Sequence, residues 1–383
     1  MTEIYQKIVD FIRSLYNKNE GPVQLHEPHF MGNEKKYLDD CIDSKFVSSV
    51  GKYVYLFEQR ISGITGAKYA IATVNGTAAL HIALILSDVS SEDEVITQPL
   101  TFIATTNAIA YTGAQPVFVD VDKDTLGLSP EKLNHFLKKN VVYKDGESRN
   151  KLSGKRIRAC VPMHTFGHPC KIDEIKEICE NYGIFLVEDA AESIGSLYKN
   201  QHTGTFGNFG ILSFNGNKII TTGGGGMILT NDAGKAKLAK HITTTAKVPH
   251  PWEYNHDMLG YNYRLINLSA ALGCAQLEQL DNFLANKREL AQIYCDFFKE
   301  IGIKFVKEPD FSRSNYWLNA VILNNRQQRD DFLAYTNSKG IMTRPAWTLM
   351  TKLKMYEHCN RDNLDNSYWI EDRLVNIPSS VRY

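Results

Sequence analysis

Asp189 and Lys218 are the residues whose types and order in the chain could do chemistry together. The apolar run 184–187 reads as a buried strand, and it delivers the acidic pair Glu188-Asp189 at its C-terminal end. Lys218 follows in ILSFNGNK, ahead of Gly223 to Gly226 and a strand-like MILTND. A strand-end acid and a lysine in a later loop can converge on one ligand. Pyridoxal phosphate (PLP) chemistry needs such a pair: an amine that forms a Schiff base with a carbonyl, and a carboxylate that keeps a pyridine nitrogen protonated. Each residue alone has a plainer reading, Lys218 as a surface charge and Asp189 as the cap of the AAES segment.

The elements that must position this pair alternate between strand and helix. Residues 69–74 predict a strand, Asn75-Gly76-Thr77 a turn, and 78–86 a helix. A turn of small residues entering a helix offers free N–H groups and the positive dipole end, which suits a phosphate. Strands are also predicted at 95–97 and 117–121, and Thr101-Phe102 follows the first of these. RIRACVPMHTFGHPC reads as a strand running into a loop with His164 and His168, at the edge of a site rather than in a metal centre. Residues 141–155 are charged and glycine-containing, so an exposed loop is expected there. With few hairpin signals, the alternation argues for a mainly parallel sheet covered on both faces. Ligands of such sheets sit beyond the carboxyl ends of the strands. Gly76, Phe102, His164 and Asp189 all fall just after predicted strands, so one site can draw on four of them.

Three units follow from the pattern: an N-terminal helical extension over 1–24, a large domain over 25–267 and a small α+β domain over 268–383. Ile4, Ile8, Phe11, Ile12 and Leu15 recur at helical spacing, so residues 1–16 predict an amphipathic helix docked on a neighbour. Residues 268–298 predict one long helix.

Composition excludes several classes. The 383 residues are 43% hydrophobic and carry 43 acidic against 43 basic side chains, which disfavours a nucleic-acid-binding protein. Seven cysteines without a CxxC pair suggest reduced thiols, a cytoplasmic protein and no zinc framework. No apolar run reaches membrane-spanning length, and charged residues interrupt the N-terminus too often for a signal peptide.

EDAAES, SFNGNK and GGGGMILTND resemble the core of the DegT/StrS family of PLP-dependent sugar aminotransferases, and the likeness runs from about Leu25 onward. The resemblance implies an α/β fold of the aspartate aminotransferase type (PLP fold type I), with a large mainly parallel sheet domain and a smaller C-terminal α+β domain. It implies that Lys218 binds the cofactor and, once released, moves the proton between the donor's α carbon and the cofactor. Asp189 would pair with the pyridine nitrogen, Glu192 would approach the ring hydroxyl, and Phe102 would stack on the ring. Gly76, Thr77 and Ser213 would hold the phosphate. GYNYR, Gly260 to Arg264, matches a loop that reaches the partner subunit's phosphate through Asn262, so a homodimer with shared sites is expected.

Two departures stand out: relatives often carry Gln or His in place of Glu192, and often an acid within the glycine run that here reads GGGG. SFNGNKIITTGGGG, LHEPHFMGNEK, FVSSVG and ITQPLTFIATTNAI look most like the branch making 4-amino-4,6-dideoxy-N-acetyl sugars, the bacillosamine and legionaminic acid precursors. That branch implies a UDP-linked 4-keto-6-deoxy-N-acetylhexosamine as acceptor and L-glutamate as donor. His164, Arg344 and Trp347 are the candidates for the rim of the nucleotide-sugar cleft. The competing readings are an aminotransferase for another nucleotide sugar, such as GDP-4-keto-6-deoxymannose, and a non-catalytic regulator of the same fold. A PLP sugar dehydratase would carry histidine in place of Lys218.

Overall fold

The computed structural model describes residues 2–382. Its large sheet runs, in spatial order, Tyr69–Thr73, Gly226–Thr230, Phe209–Ser213, Phe185–Asp189, Arg156–Val161, Asp93–Thr97 and Gln115–Phe118. Gly226–Thr230 is antiparallel to both its neighbours, and the other pairs along this order are parallel; Glu147–Asn150 adds an antiparallel branch on Arg156–Val161. The central strands are buried along nearly their whole length, as expected where helices cover both faces. The Gly76–Leu86 helix is apolar on almost all sides and is sunk against the sheet; Asn75 caps it by accepting Ala78 N–H at 2.7 Å. Ser129 caps the Pro130–Asn140 helix by accepting Lys132 N–H at 3.3 Å, with Pro130 at the first helical position.

A second sheet orders Lys304–Phe305, Asn319–Ile322, Leu374–Ile377 and Arg344–Pro345, with the Leu280–Glu300 and Arg326–Ser338 helices against it. The predicted N-terminal helix forms over Thr2–Leu15 and docks on this smaller unit of the same chain. Ile8 and Ile12 are fully buried there, each worth about 1.5–3 kcal/mol. Phe11 stacks on Phe297 at 3.7 Å between centroids, and Arg13 donates to the Lys339 carbonyl.

Two elements differ from expectation. Residues 141–150 form a hairpin, Val141–Lys144 with Glu147–Asn150, turned at Asp145-Gly146 with φ of 54° and 81°. Asp-Gly is the dipeptide that such a turn selects, because both central residues need positive φ. The long helix is in fact two, Asn267–Leu277 and Leu280–Glu300. The first packs on Lys52–Thr65 and Glu34–Asp43 beside the large sheet, so the packing changes over near Glu278.

Candidate active site

A cavity of about 370 Å³ opens beyond the carboxyl ends of the strands. Gly76, Thr77, Phe102, Asp189, Glu192, Ser213, Lys218 and Trp347 all line it. Eight of the eleven residues expected from sequence are therefore brought together; His164, Arg344 and Asn262 are not among the lining residues.

One wall is built to take an anion. The first N–H groups of a helix have no intrahelical acceptor, and the Asn75 side chain satisfies only that of Ala78. Gly76 and Thr77 thus present donors at the positive helix end. A Cβ on Gly76 would lie 3.2 Å from Ser213 Oγ, and one on Gly226 would lie 2.3 Å from the Asn75 carbonyl. The glycines are what allow the turn, the hydroxyl and the neighbouring strand to close together. This donor set fits the PLP phosphate.

Asp189 also lines the cavity. Its Oδ2 accepts from Thr105 Oγ1 at 2.7 Å, and its Oδ1 from Ala191 N–H at 3.2 Å. Burial pushes its carboxyl above the usual range, against the pull of Thr105, Ala191 N–H and Lys218. A buried acid facing a cavity suits a protonated pyridine nitrogen, whose positive charge would offset that cost. Phe102 offers a half-exposed ring to the cavity, 6.3 Å from the Trp347 centroid, so an aromatic face stands ready for a flat ring.

Lys218 Nζ lies 3.3 Å from Glu192 Oε1 and 3.9 Å from the centre of the Trp317 ring. Trp317 is held in turn by Nε1–H to the Asn217 carbonyl at 2.7 Å and by N–H to Asn315 Oδ1 at 2.9 Å. Glu192 Oε2 accepts Phe166 N–H at 2.9 Å. Glu192 thus meets the lysine in the lining of the same cavity.

Two expected rim residues sit elsewhere. His164 is fully buried; Nε2 lies 3.1 Å from Glu188 Oε2, and Nδ1 accepts Cys170 N–H at 3.1 Å. The reason is that the Arg156–Val161 strand continues its pairing past its end, with Asp189 N–H on the Pro162 carbonyl and His164 N–H on that of Asp189. His164 thus braces the strand end from behind, and Met163 reaches the cavity instead. Arg344 is exposed and donates to Asn337 Oδ1 and the Thr343 carbonyl, away from the cavity. Asn262 is also exposed, in a bridge with Thr244. Thr105 and Trp317 are lining residues that sequence reasoning missed. Thr105 carries a weak local signal, one helical turn after Phe102; Trp317 carries none.

Comparison with known proteins agrees with this geometry. The family model described as the DegT/DnrJ/EryC1/StrS aminotransferase family matches residues 29–383. GDP-perosamine synthase of Escherichia coli O157:H7 is 37% identical over 93% of this chain and 93% of its own. GDP-perosamine synthase of Vibrio cholerae is 34% identical over 93% and 94%. The aminotransferase TlmJ from Streptoalloteichus hindustanus, 24% identical, superposes with a TM-score of 0.85 over 94% of each chain, which supports the fold. A cavity with a phosphate cradle, a buried acid and a lysine, in a chain matched over nearly its whole length, thus leads to one conclusion: the protein belongs to the DegT/DnrJ/EryC1/StrS family of PLP-dependent sugar aminotransferases.

Proposed function

We propose that the chain moves an amino group from L-glutamate to C4 of a nucleotide-linked 4-keto-6-deoxyhexose, with a GDP-linked sugar as acceptor. Relatives that carry the name GDP-perosamine synthase over more than nine-tenths of the chain are the observation behind the GDP reading. They favour it over the UDP-linked N-acetyl sugar that the branch motifs suggest. The UDP-linked acceptor remains the second reading, favoured by the acid-free glycine run Gly223 to Gly226 and by SFNGNKIITT.

When bound, PLP supplies a carbonyl that takes up the amino group and a ring that accommodates the electron pair left at carbon. The chain's own residues do the rest. Gly76 and Thr77 N–H groups and the Ser213 hydroxyl hold the phosphate. Asp189 keeps the pyridine nitrogen protonated, and Phe102 stacks on the ring. Lys218 carries the cofactor and, once free, moves protons with its Nζ. Trp347 walls the acceptor side of the cleft. Two copies form the working unit, each presenting Asn262 toward its partner.

Side-by-side kcat/KM measurements with the GDP- and UDP-linked 4-keto sugars, glutamate as donor, decide the acceptor. A preference of about a hundredfold for the GDP sugar, roughly 2.7 kcal/mol, is expected. A clear preference for the UDP sugar would establish the second reading and leave the amino-transfer chemistry intact.

A further inference from the structure

Glu192 is placed to do more than contact a cofactor. It is almost fully buried, and its two oxygens have separate tasks. Oε2 is anchored by Phe166 N–H, while Oε1 faces Lys218 Nζ at 3.3 Å. The anchor is held with unusual backbone geometry. Phe166 is a bulky, fully buried residue at φ 57°, and Gly167 beside it has φ 93° and no room for a Cβ, which would lie 1.8 Å from Asn315 Oδ1. A left-handed conformation is costly for a residue of this size and persists only where surrounding contacts impose it. Here the result is an N–H aimed at Glu192. The Trp317 ring lies 3.9 Å from the same Nζ, so the ammonium contacts one carboxylate oxygen and one aromatic face.

We propose that Glu192 is the proton acceptor for Lys218: as the lysine amine engages the cofactor's carbonyl carbon, one proton passes from Nζ to Oε1. One N–H bond breaks and one O–H bond forms at Oε1; the freed nitrogen lone pair bonds to carbon as the C=O π bond opens, and the carbonyl oxygen then takes the proton back from Oε1 together with a second from Nζ and leaves as water. When the amino donor's amine takes the lysine's place on that carbon, the C–N bond to Nζ breaks and the departing Nζ takes a proton back by way of Oε1. The inference rests on Lys218 being the lysine that carries the cofactor.

The electrostatic setting supports such an exchange. Burial pushes the Glu192 carboxyl up to about 7, opposed by Lys218 and Phe166 N–H and aided by Asp189. The other groups with a charge bearing on the pair are His164, which acts on Asp189, and His26 and Lys287 behind Trp317. Burial depresses both of the latter, Lys287 to about 7 and His26 well below its usual value, which limits their competition for the proton. Asp189 is a poorer acceptor because its oxygens take Thr105 Oγ1 and Ala191 N–H, whereas Lys218 Nζ donates to Glu192 Oε1.

The test is the rate at which full-length protein, stripped of cofactor, captures PLP, followed by absorbance from below to above pH 7. Wild type should speed up as pH rises through about 7, where Glu192 ionises. Glu192→Gln keeps an oxygen for Phe166 N–H but has no basic oxygen for Nζ. It should capture PLP roughly a hundredfold more slowly above neutrality and lose the step near 7. Glu192→Asp, which restores an acid, should recover the step. Capture by Glu192→Gln as fast as wild type or faster, with the same profile, would overturn the proposal. Borohydride trapping and peptide mass spectrometry then locate the captured cofactor. Cofactor on a different lysine would overturn the assignment of Lys218, whereas cofactor on Lys218 at an unchanged rate overturns only the role of Glu192.

Discussion

Thr105 Oγ1 donates to Asp189 Oδ2 over 2.7 Å, joining the first turn of one helix to the end of a strand two places away in the sheet. Thr101 Oγ1 lies 2.7 Å from the same hydroxyl, so a short chain of hydroxyls meets a buried carboxylate. Hydrogen bonds to the charged form offset the desolvation that drives this carboxyl upward. Asp189→Asn should keep the phosphate cradle and bind PLP, yet slow turnover by several orders of magnitude, because a neutral amide cannot hold the pyridine nitrogen protonated. A loss below about tenfold, near 1.4 kcal/mol, would contradict the role given to Asp189. Thr105→Val should cost a smaller amount, about 1.5–3 kcal/mol in kcat, as the loss of one hydrogen bond to a charged group.

Lys218→Ala removes the only lysine that lines the cavity among the described residues. It should abolish transamination and the visible absorbance band of lysine-bound cofactor, while the phosphate cradle still allows weak PLP binding by dialysis. A fully active variant would end the reading of Lys218 as the cofactor lysine.

Much of this site was legible because its signals are local. Asn75-Gly76-Thr77 announces a strand-to-helix turn, and a buried strand followed by Asp189 announces an acid at a sheet edge. What failed were statements about direction and distance. A histidine after a strand faces the cleft only if the strand stops pairing; here the pairing continues to His164 and turns the ring away. Trp317 reaches Lys218 from the other side of the fold, and nothing near it in the chain encodes that meeting. The helix break near Glu278 has no Gly or Pro to mark it. It coincides with tertiary bonds from Asn33, Tyr37 and Arg60 to the Glu278 carboxylate.

Acid should destabilise the protein at a mildly low pH. Burial lowers the His168 and His202 imidazoles to about 4 each, whereas the unfolded chain binds protons near 6.5. The unfolded state therefore holds more protons between these limits. Stability from the two groups is complete above about 6.5 and is lost as pH falls toward 4, by of the order of 3 kcal/mol per histidine. His168 has no hydrogen-bond partner on either ring nitrogen and meets Tyr316 edge-on at 5.3 Å. His168→Phe preserves that ring contact and removes the titration. Melting temperatures measured near neutrality and in mild acid should fall less for the variant than for wild type; an equal fall would mean that His168 does not titrate on unfolding.

Asn262 gives the last prediction. Tyr261 and Tyr263 stack on each other at 5.1 Å, and both lie against His81, which the Gly76–Leu86 helix carries beneath the phosphate cradle. In extended chain, alternate side chains point to opposite faces. Two tyrosines turned inward therefore leave Asn262 turned outward, exposed and outside its own cavity. A second copy related by a two-fold axis would receive that amide, and the arrangement would repeat in reverse. Asn262→Ala should then weaken PLP binding without disturbing the tyrosine pair, because the pair packs on the other face. Mixed with Lys218→Ala after gentle dissociation, it should yield hybrid dimers in which one site has both an intact lysine and an intact asparagine. Activity should recover to about a quarter of wild type, since half of the dimers are hybrids and each has one whole site. Full activity from a monomer in sedimentation, or no recovery in hybrids verified by mass spectrometry, would remove Asn262 from the partner's site.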